Sequence, residues 1–190
     1  MTISSRNIVY DGAKVNIGCS KIFCFAKENF GGYSNETSEG FYYACDVDSA
    51  GHLTKLSWAY AIGRRNFEIY GDDVSFDATF DINKYNMIFA PFTGVDKHDR
   101  CVTFAACLLS QESVTDYTWA FHHFVKAMRR NLVVIVTNQC AAMKVAIPDV
   151  FSDGNGLIAS KHRLCMWHIT GKFPVKLGNR LFKETDFMEK

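Results

Sequence analysis

The stretch LVVIVTNQCAAMKVAI, residues 132–147, decides how the chain is read. Its first six residues, Leu132 to Thr137, are continuously apolar and β-branched, which is the pattern of a strand covered on both faces. A helix is expected from about Ala141. Pro148 is expected to kink that helix or end it by Ile147, because proline lacks an amide donor and its ring clashes with the preceding turn. Strand, turn and helix in succession put the residue at the strand's end on a rigid element facing the crevice beyond the sheet. Catalytic carboxylates often stand at such a point. The residue at that point is Asn138, an amide.

Working outward on the N-terminal side, SVTDYTWAFHHFVKAMRR (113–130) places Ala120, Phe121, Phe124, Val125 and Met128 on one face at helical spacing. Ser113 is its expected N-cap, with Asp116 three residues on. Before it lie three apolar runs, VSFDATF (74–80), MIFAPFTGV (87–95) and CVTFAACLL (101–109). Their spacing leaves no room for crossover helices, so they should form an antiparallel meander. Pro91 implies a bulge or an edge within the second run. In the 74–80 strand Val74, Phe76, Ala78 and Phe80 share one face, and Asp77 lies on the other with Ser75 and Thr79.

Farther out, FYYACDV (41–47) and LTKLSWAYA (53–61) flank DSAGH and read as a β-hairpin. SNETSEG (34–40) reads as a polar linker, residues 15–33 as a short helix closed by Gly31 and Gly32, and residues 1–13 as a loose terminus. On the C-terminal side HRLCMWHI (162–169) reads as a last short strand, followed by a polar tail from 171 to 190. The expected fold is thus α/β: a hairpin, three antiparallel strands, helix, strand, helix and strand in one mixed sheet.

Composition bounds the function. The chain has 190 residues, 48% hydrophobic and 22% charged, enough for one sizeable core in one domain. A formal net charge of +1 carries no electrostatic footprint for nucleic acid, so DNA contact would need a local basic patch. The seven cysteines are odd in number and sit mostly in apolar runs, which reads as reduced thiols of an intracellular protein. No run of about 18 apolar residues is present, so no membrane span is expected.

The segments GDDVSFDATFDINKYNMIFAPFTGVDKH, ACLLSQESVTDYTWAFHHFVKAM, VIVTNQCAAM and HRLCMWHI together resemble the transposase domain of Mutator-like elements. The variety is the one carried by the plant far-red-impaired-response family of domesticated transposases. The resemblance covers roughly residues 41–170, and a weaker likeness at 15–33 matches a segment which that family places ahead of its transposase domain. The long stretch separating the two in the family is reduced here to 34–40, read as a deletion or a misjoined exon. The resemblance implies a ribonuclease H-like fold, expected to be truncated at the C-terminus, with residues 1–40 as an N-terminal segment, 41–170 as the domain and 171–190 as a tail.

In that family three carboxylates hold two divalent metals that stabilise the attacking and leaving oxygens of phosphodiester cleavage. The first falls on Asp77 and implies an ancestral Mg²⁺ or Mn²⁺ ligand; from the residues alone, Asp77 reads as an ordinary residue of an exposed sheet face or one bonded to a nearby Thr. The second falls on Asn138, which loses the charge, and position 140, often acidic in relatives, is Cys140. The third, a Glu, lies in the family beyond the point where this chain ends, and Glu184 and Glu189 read as solvated tail charges. Cys165 and His168 match the family's Cys-x-x-His signature; with no second pair to complete a zinc site, both are expected to pack the final strand. His122 and His123 read as partly exposed helix residues, and Arg129, Arg130, Lys161, His162 and Arg163 as solvated bases that border a phosphate-facing edge at most.

These readings imply a degenerate, non-catalytic domain of a nuclear, DNA-associated protein related to transcriptional regulators. No cofactor or zinc is expected in this chain. DNA is expected as a weak partner, and association with itself or with related chains is compatible with the family. The alternative is a fragment of a catalytic DDE-type transposase, for which the intact Asp77 speaks.

Overall fold

The computed structural model describes residues 34–36, 40–78, 87–151 and 160–172. In chain order the elements are β1 (Ser34–Glu36), β2 (Tyr42–Val47), β3 (Leu53–Ala59), α1 (Ala61–Tyr70), β4 (Asp73–Phe76), β5 (Ile88–Val95) and β6 (Cys101–Leu109). They are followed by α2 (Val114–Met128), β7 (Val134–Thr137), α3 (Ala141–Phe151), β8 (Lys161–Leu164) and α4 (Met166–Thr170). The strands form one mixed sheet in the order β1-β2-β3-β6-β5-β4-β7-β8. All pairings from β1 to β4 are antiparallel, while β4 with β7 and β7 with β8 run parallel.

The expected hairpin forms as β2 and β3. At its turn the Asp48 carboxylate accepts from the Ala50 and His52 amides, and Gly51 takes φ +80°, a value open to glycine at little cost. The meander forms as β4, β5 and β6. Its register shifts between Phe92 and Thr93, and β4 stops at Phe76 opposite Phe92, so Pro91 lies beside both a bulge and a strand end. α2 starts as expected, with the Ser113 hydroxyl accepting from the Asp116 amide.

Alternation along the strands sorts the core into two faces. On one, Phe76 and Phe92 meet Phe121 and Phe124 of α2; Phe92 stacks on Phe124 with ring centroids 4.0 Å apart, and Phe67 of α1 meets Phe124 edge-on. Helices α1, α2 and α3 all bury residues in this cluster. On the other face Phe41, Tyr43, Cys45, Leu56, Trp58 and Ala106 form a smaller cluster to which no described helix contributes.

Five expectations are corrected. SNETSEG is not all linker, because Ser34–Glu36 adds an edge strand to β2. The segment after the hairpin holds a helix, α1, which the sequence reading missed. β7 is not covered on both faces: Ile135 and Thr137 are buried, but Val134 and Val136 are only half covered, since the helices pack on one side. Of the two outcomes expected at Pro148, the ending is overturned: α3 runs through Pro148 to Phe151, because Phe151 is itself buried and packs on Phe121. HRLCMWHI is not one strand: β8 ends at Leu164 and α4 begins at Met166, so His168 is helical and is not part of the final strand. The helix read over 15–33, the terminus and nearly all of the tail lie outside the described residues.

Candidate functional site at the ends of β4 and β7

Parallel pairing of Phe76 with Thr137 sets the geometry, since the next residue on each strand is Asp77 and Asn138. Both side chains therefore stand side by side at the mouth of the sheet, although residues 77 and 138 are far apart in the chain. Asn138 Nδ2 donates to Asp77 Oδ1 at 3.3 Å, and Asn138 Oδ1 accepts from the Cys140 amide at 3.0 Å. A backbone N–H can only donate, so the amide oxygen must face Cys140 and the NH₂ group must face Asp77.

Residues at or beside two other elements, α4 and α2, reach the same place. His168 of α4 brings Nε2 to 3.4 Å from Asp77 Oδ2. Glu112, just ahead of α2, accepts from the Tyr117 hydroxyl at 3.0 Å. Burial raises the Tyr117 phenol strongly, and the nearby Glu112 and Cys140 add to this. Lys172, just past α4, donates to Gln139 Oε1 at 2.6 Å. Asp77, Asn138, Glu112, Gln139, His168 and Lys172, with Ala78 and Cys140, line a cleft of about 520 Å³. Beneath it Thr137 Oγ1 bonds the Asn138 carbonyl and His162 Nε2, and burial lowers the His162 imidazole.

The structure thus brings Asp77, Asn138, Cys140 and His168 together. Cys165 adjoins them through its amide, which donates to the Thr137 carbonyl at 2.7 Å. Other candidates fall elsewhere. Arg130 bonds Asp72 and the Phe67 carbonyl and lies over the Phe67 ring; Asp72 precedes β4, so Arg130 is at the opposite end of that strand from Asp77 and does not border the cleft. Arg129 closes α2 with φ 58°. His122 is exposed, while His123 is half-buried against Tyr42 and Trp119. Lys161 and Arg163 are exposed on β8. Sequence reasoning missed Glu112, Tyr117, Gln139 and Lys172; the one available signal was that Glu112 ends the connection from the meander into α2, which returns to this end of the sheet.

The cleft does not fit a pair of Mg²⁺ ions as it stands. Such ions need oxygen donors, and here an NH₂ group points at the only carboxylate of the β4–β7 pair. Among the described residues, no three His, Cys, Asp or Glu side chains are grouped so as to hold a metal ion.

A mixed α/β sheet with a polar cleft at adjacent parallel strand ends is the class of scaffold; the relatives give the family. The MULE transposase domain matches residues 74–172, more than half of the chain, and the chain belongs to that family. It is similar to FAR1-related sequence 5 of Arabidopsis thaliana, 30% identical over 154 residues that make up 80% of this chain and 19% of that protein. FAR1-related sequence 6 of the same plant is 30% identical over 142 residues, 75% of this chain and 19% of that protein. Far-red impaired response 1, also from Arabidopsis thaliana, is 26% identical over 151 residues, 79% of this chain and 18% of that protein. The chain spans about a fifth of the length of the curated relatives it matches.

Proposed function

We propose that the chain is a transposase-derived domain that no longer cuts DNA and that serves a nuclear, DNA-associated protein akin to the far-red-impaired-response regulators of transcription. Its strand order β6-β5-β4-β7-β8, three antiparallel strands continued by two parallel ones, supports a ribonuclease H-like reading. One observation carries the loss of catalysis: Asn138 turns its NH₂ toward Asp77, where a metal-binding site would need a second acceptor oxygen. Asp77 is then a retained ancestral carboxylate.

DNA is assigned as a partner of the longer protein and as a weak ligand of this chain, whose net charge is +1. Association with itself or with related chains is supported by Leu164, Met166 and Trp167, all exposed beside β8, the last strand of the sheet among the described residues. No helix among the described residues is long and apolar enough to cross a membrane. The second reading, a catalytic fragment, draws on Glu112, a carboxylate that shares the cleft with Asp77.

The deciding experiment incubates purified chain with supercoiled and short duplex DNA in Mg²⁺ or Mn²⁺. The expected result is intact DNA with either ion. Metal-dependent nicking that disappears in Asp77→Ala would establish the second reading.

A further inference from the structure

We propose that residues 19–30 fold as an amphipathic helix and pack across the sheet face opposite α2, so that the domain begins near Cys19 rather than at Phe41. The observations are independent of the domain's ancestry. Register lines up Tyr43 and Cys45 of β2 with Trp58 and Leu56 of β3, and these with Ala106 and Leu108 of β6, which gives one continuous apolar patch across adjacent strands. Within it Tyr43 is 2% exposed and Trp58 8%. Neighbours within a sheet lie beside such side chains and do not cap them; a sheet face is closed by a second layer stacked about 10 Å away. Helices α1, α2 and α3 all bury their residues in the cluster on the other face. The cover therefore comes from chain outside the described residues.

Position and pattern select one stretch of that chain. Residues 79–86 and 152–159 are eight-residue connections tied at both ends, and 37–39 is shorter still. Residues 173–190 follow α4 beside β8, five strand spacings or about 24 Å from β3. Residues 1–33 lead directly into β1, the strand paired with β2. Within them Cys19, Ile22, Phe23, Ala26 and Phe30 fall on one face at helical spacing, with Ser20, Lys21, Cys24, Lys27 and Glu28 opposite and Phe25 on one flank. A helix over 19–30 is about 18 Å long, enough to cross the ~14 Å from β2 to β5. Gly31 and Gly32 then stop it and supply the turn into β1 at Ser34.

Four native thiols test the arrangement in the whole, reduced chain. Cys19 lies on the apolar face of the proposed helix and Cys24 on its polar face, while Cys45 belongs to the covered patch and Cys107 to the core on the other side of the sheet. N-ethylmaleimide labelling is read peptide by peptide. In wild type, Cys24 is expected to label about tenfold faster than Cys19 and Cys45. Ile22→Asp with Phe23→Asp, which puts charge on the docking face, is expected to raise the Cys45 rate about tenfold and to leave Cys107 unchanged. Equal rates at Cys19 and Cys24 in wild type, or a Cys45 rate that the double substitution does not move, would overturn the proposal. If the double variant unfolds, which labelling of Cys107 reports, the wild-type comparison of Cys19 with Cys24 decides alone. Protection of Cys19 and Cys45 that is lost on dilution would also overturn it, because the covering layer would then belong to a second copy of the chain.

Discussion

At position 138 an amide and a carboxylate have nearly the same size, so charge is what separates them. Asn138 offers Asp77 a hydrogen-bond donor where a second carboxylate would stand, at a cost in affinity for hard cations. Asn138→Asp is expected to destabilise the metal-free chain at neutral pH by ~0.5–1 kcal/mol, a modest figure because Asp77 is 41% exposed and its field is screened. Added Mn²⁺ is expected to restore the loss by binding the folded state alone, while the wild-type midpoint stays unmoved. Thermal melts with and without Mn²⁺ check this, and equal metal responses in the two proteins would mean that positions 77 and 138 are not the remnant of one site. That these two residues meet was legible through the resemblance, which places the family's first two carboxylates at Asp77 and Asn138; from the residues alone Asp77 read as the middle of a strand over 74–80, whereas β4 ends at Phe76. The part played by Glu112 and Lys172 was not legible, because periodicity along one segment says nothing about which loop returns to the same end of a sheet.

At the scale of elements, the reading succeeded where period and punctuation agree, as in α2 with its Ser113 cap, and failed where they conflict. AIGRRNFEIY (61–70) has a glycine inside it and begins at Tyr60 without a side-chain cap, so local signals argue against the helix that forms. Tertiary packing overrides them: Phe67 is fully buried between Phe104 and Phe124. The glycine is part of that packing. A Cβ at Gly63 would lie 2.3 Å from the Phe104 carbonyl oxygen, so only glycine lets α1 approach β6 this closely. Gly63→Ala, favourable by helix propensity, is therefore expected to destabilise the chain by ~1–3 kcal/mol, the usual cost of overpacking. Chemical denaturation measures this, and a gain in stability would show that α1 is free to shift outward. The split of 162–169 into β8 and α4 escaped notice because four residues of strand and five of helix are each too short to express a period.

At the scale of the whole molecule, the strand order places the β2–β3 hairpin beyond the meander, where β3 pairs with β6, and α2 ties the two parts together across the sheet. This arrangement was not legible, since sequence patterns locate strands but do not say which edge a hairpin joins. One tie is the Tyr42 hydroxyl bonded to His123 Nδ1 at 2.6 Å, with Trp119 packed on the same imidazole. Burial lowers His123 from 6.5 to about 4, helped by the positive charges of Lys126, His122 and Lys55 and opposed by Asp46. In the folded chain the ring thus stays neutral at pH values where it is already protonated in the unfolded chain. Between these two values the unfolded state binds the extra proton, so stability rises with pH, and it is lost as pH falls from about 6.5 toward 4. Allowing for the part of the ring that remains in water, the contribution is ~1–2 kcal/mol. His123→Gln keeps a polar group of similar reach for Tyr42 but cannot titrate, so its thermal midpoint is expected to fall less steeply than that of wild type over this range. Parallel pH profiles for the two proteins would mean that His123 takes up its proton without disturbing the Tyr42 contact, and that the acid sensitivity of the fold arises elsewhere.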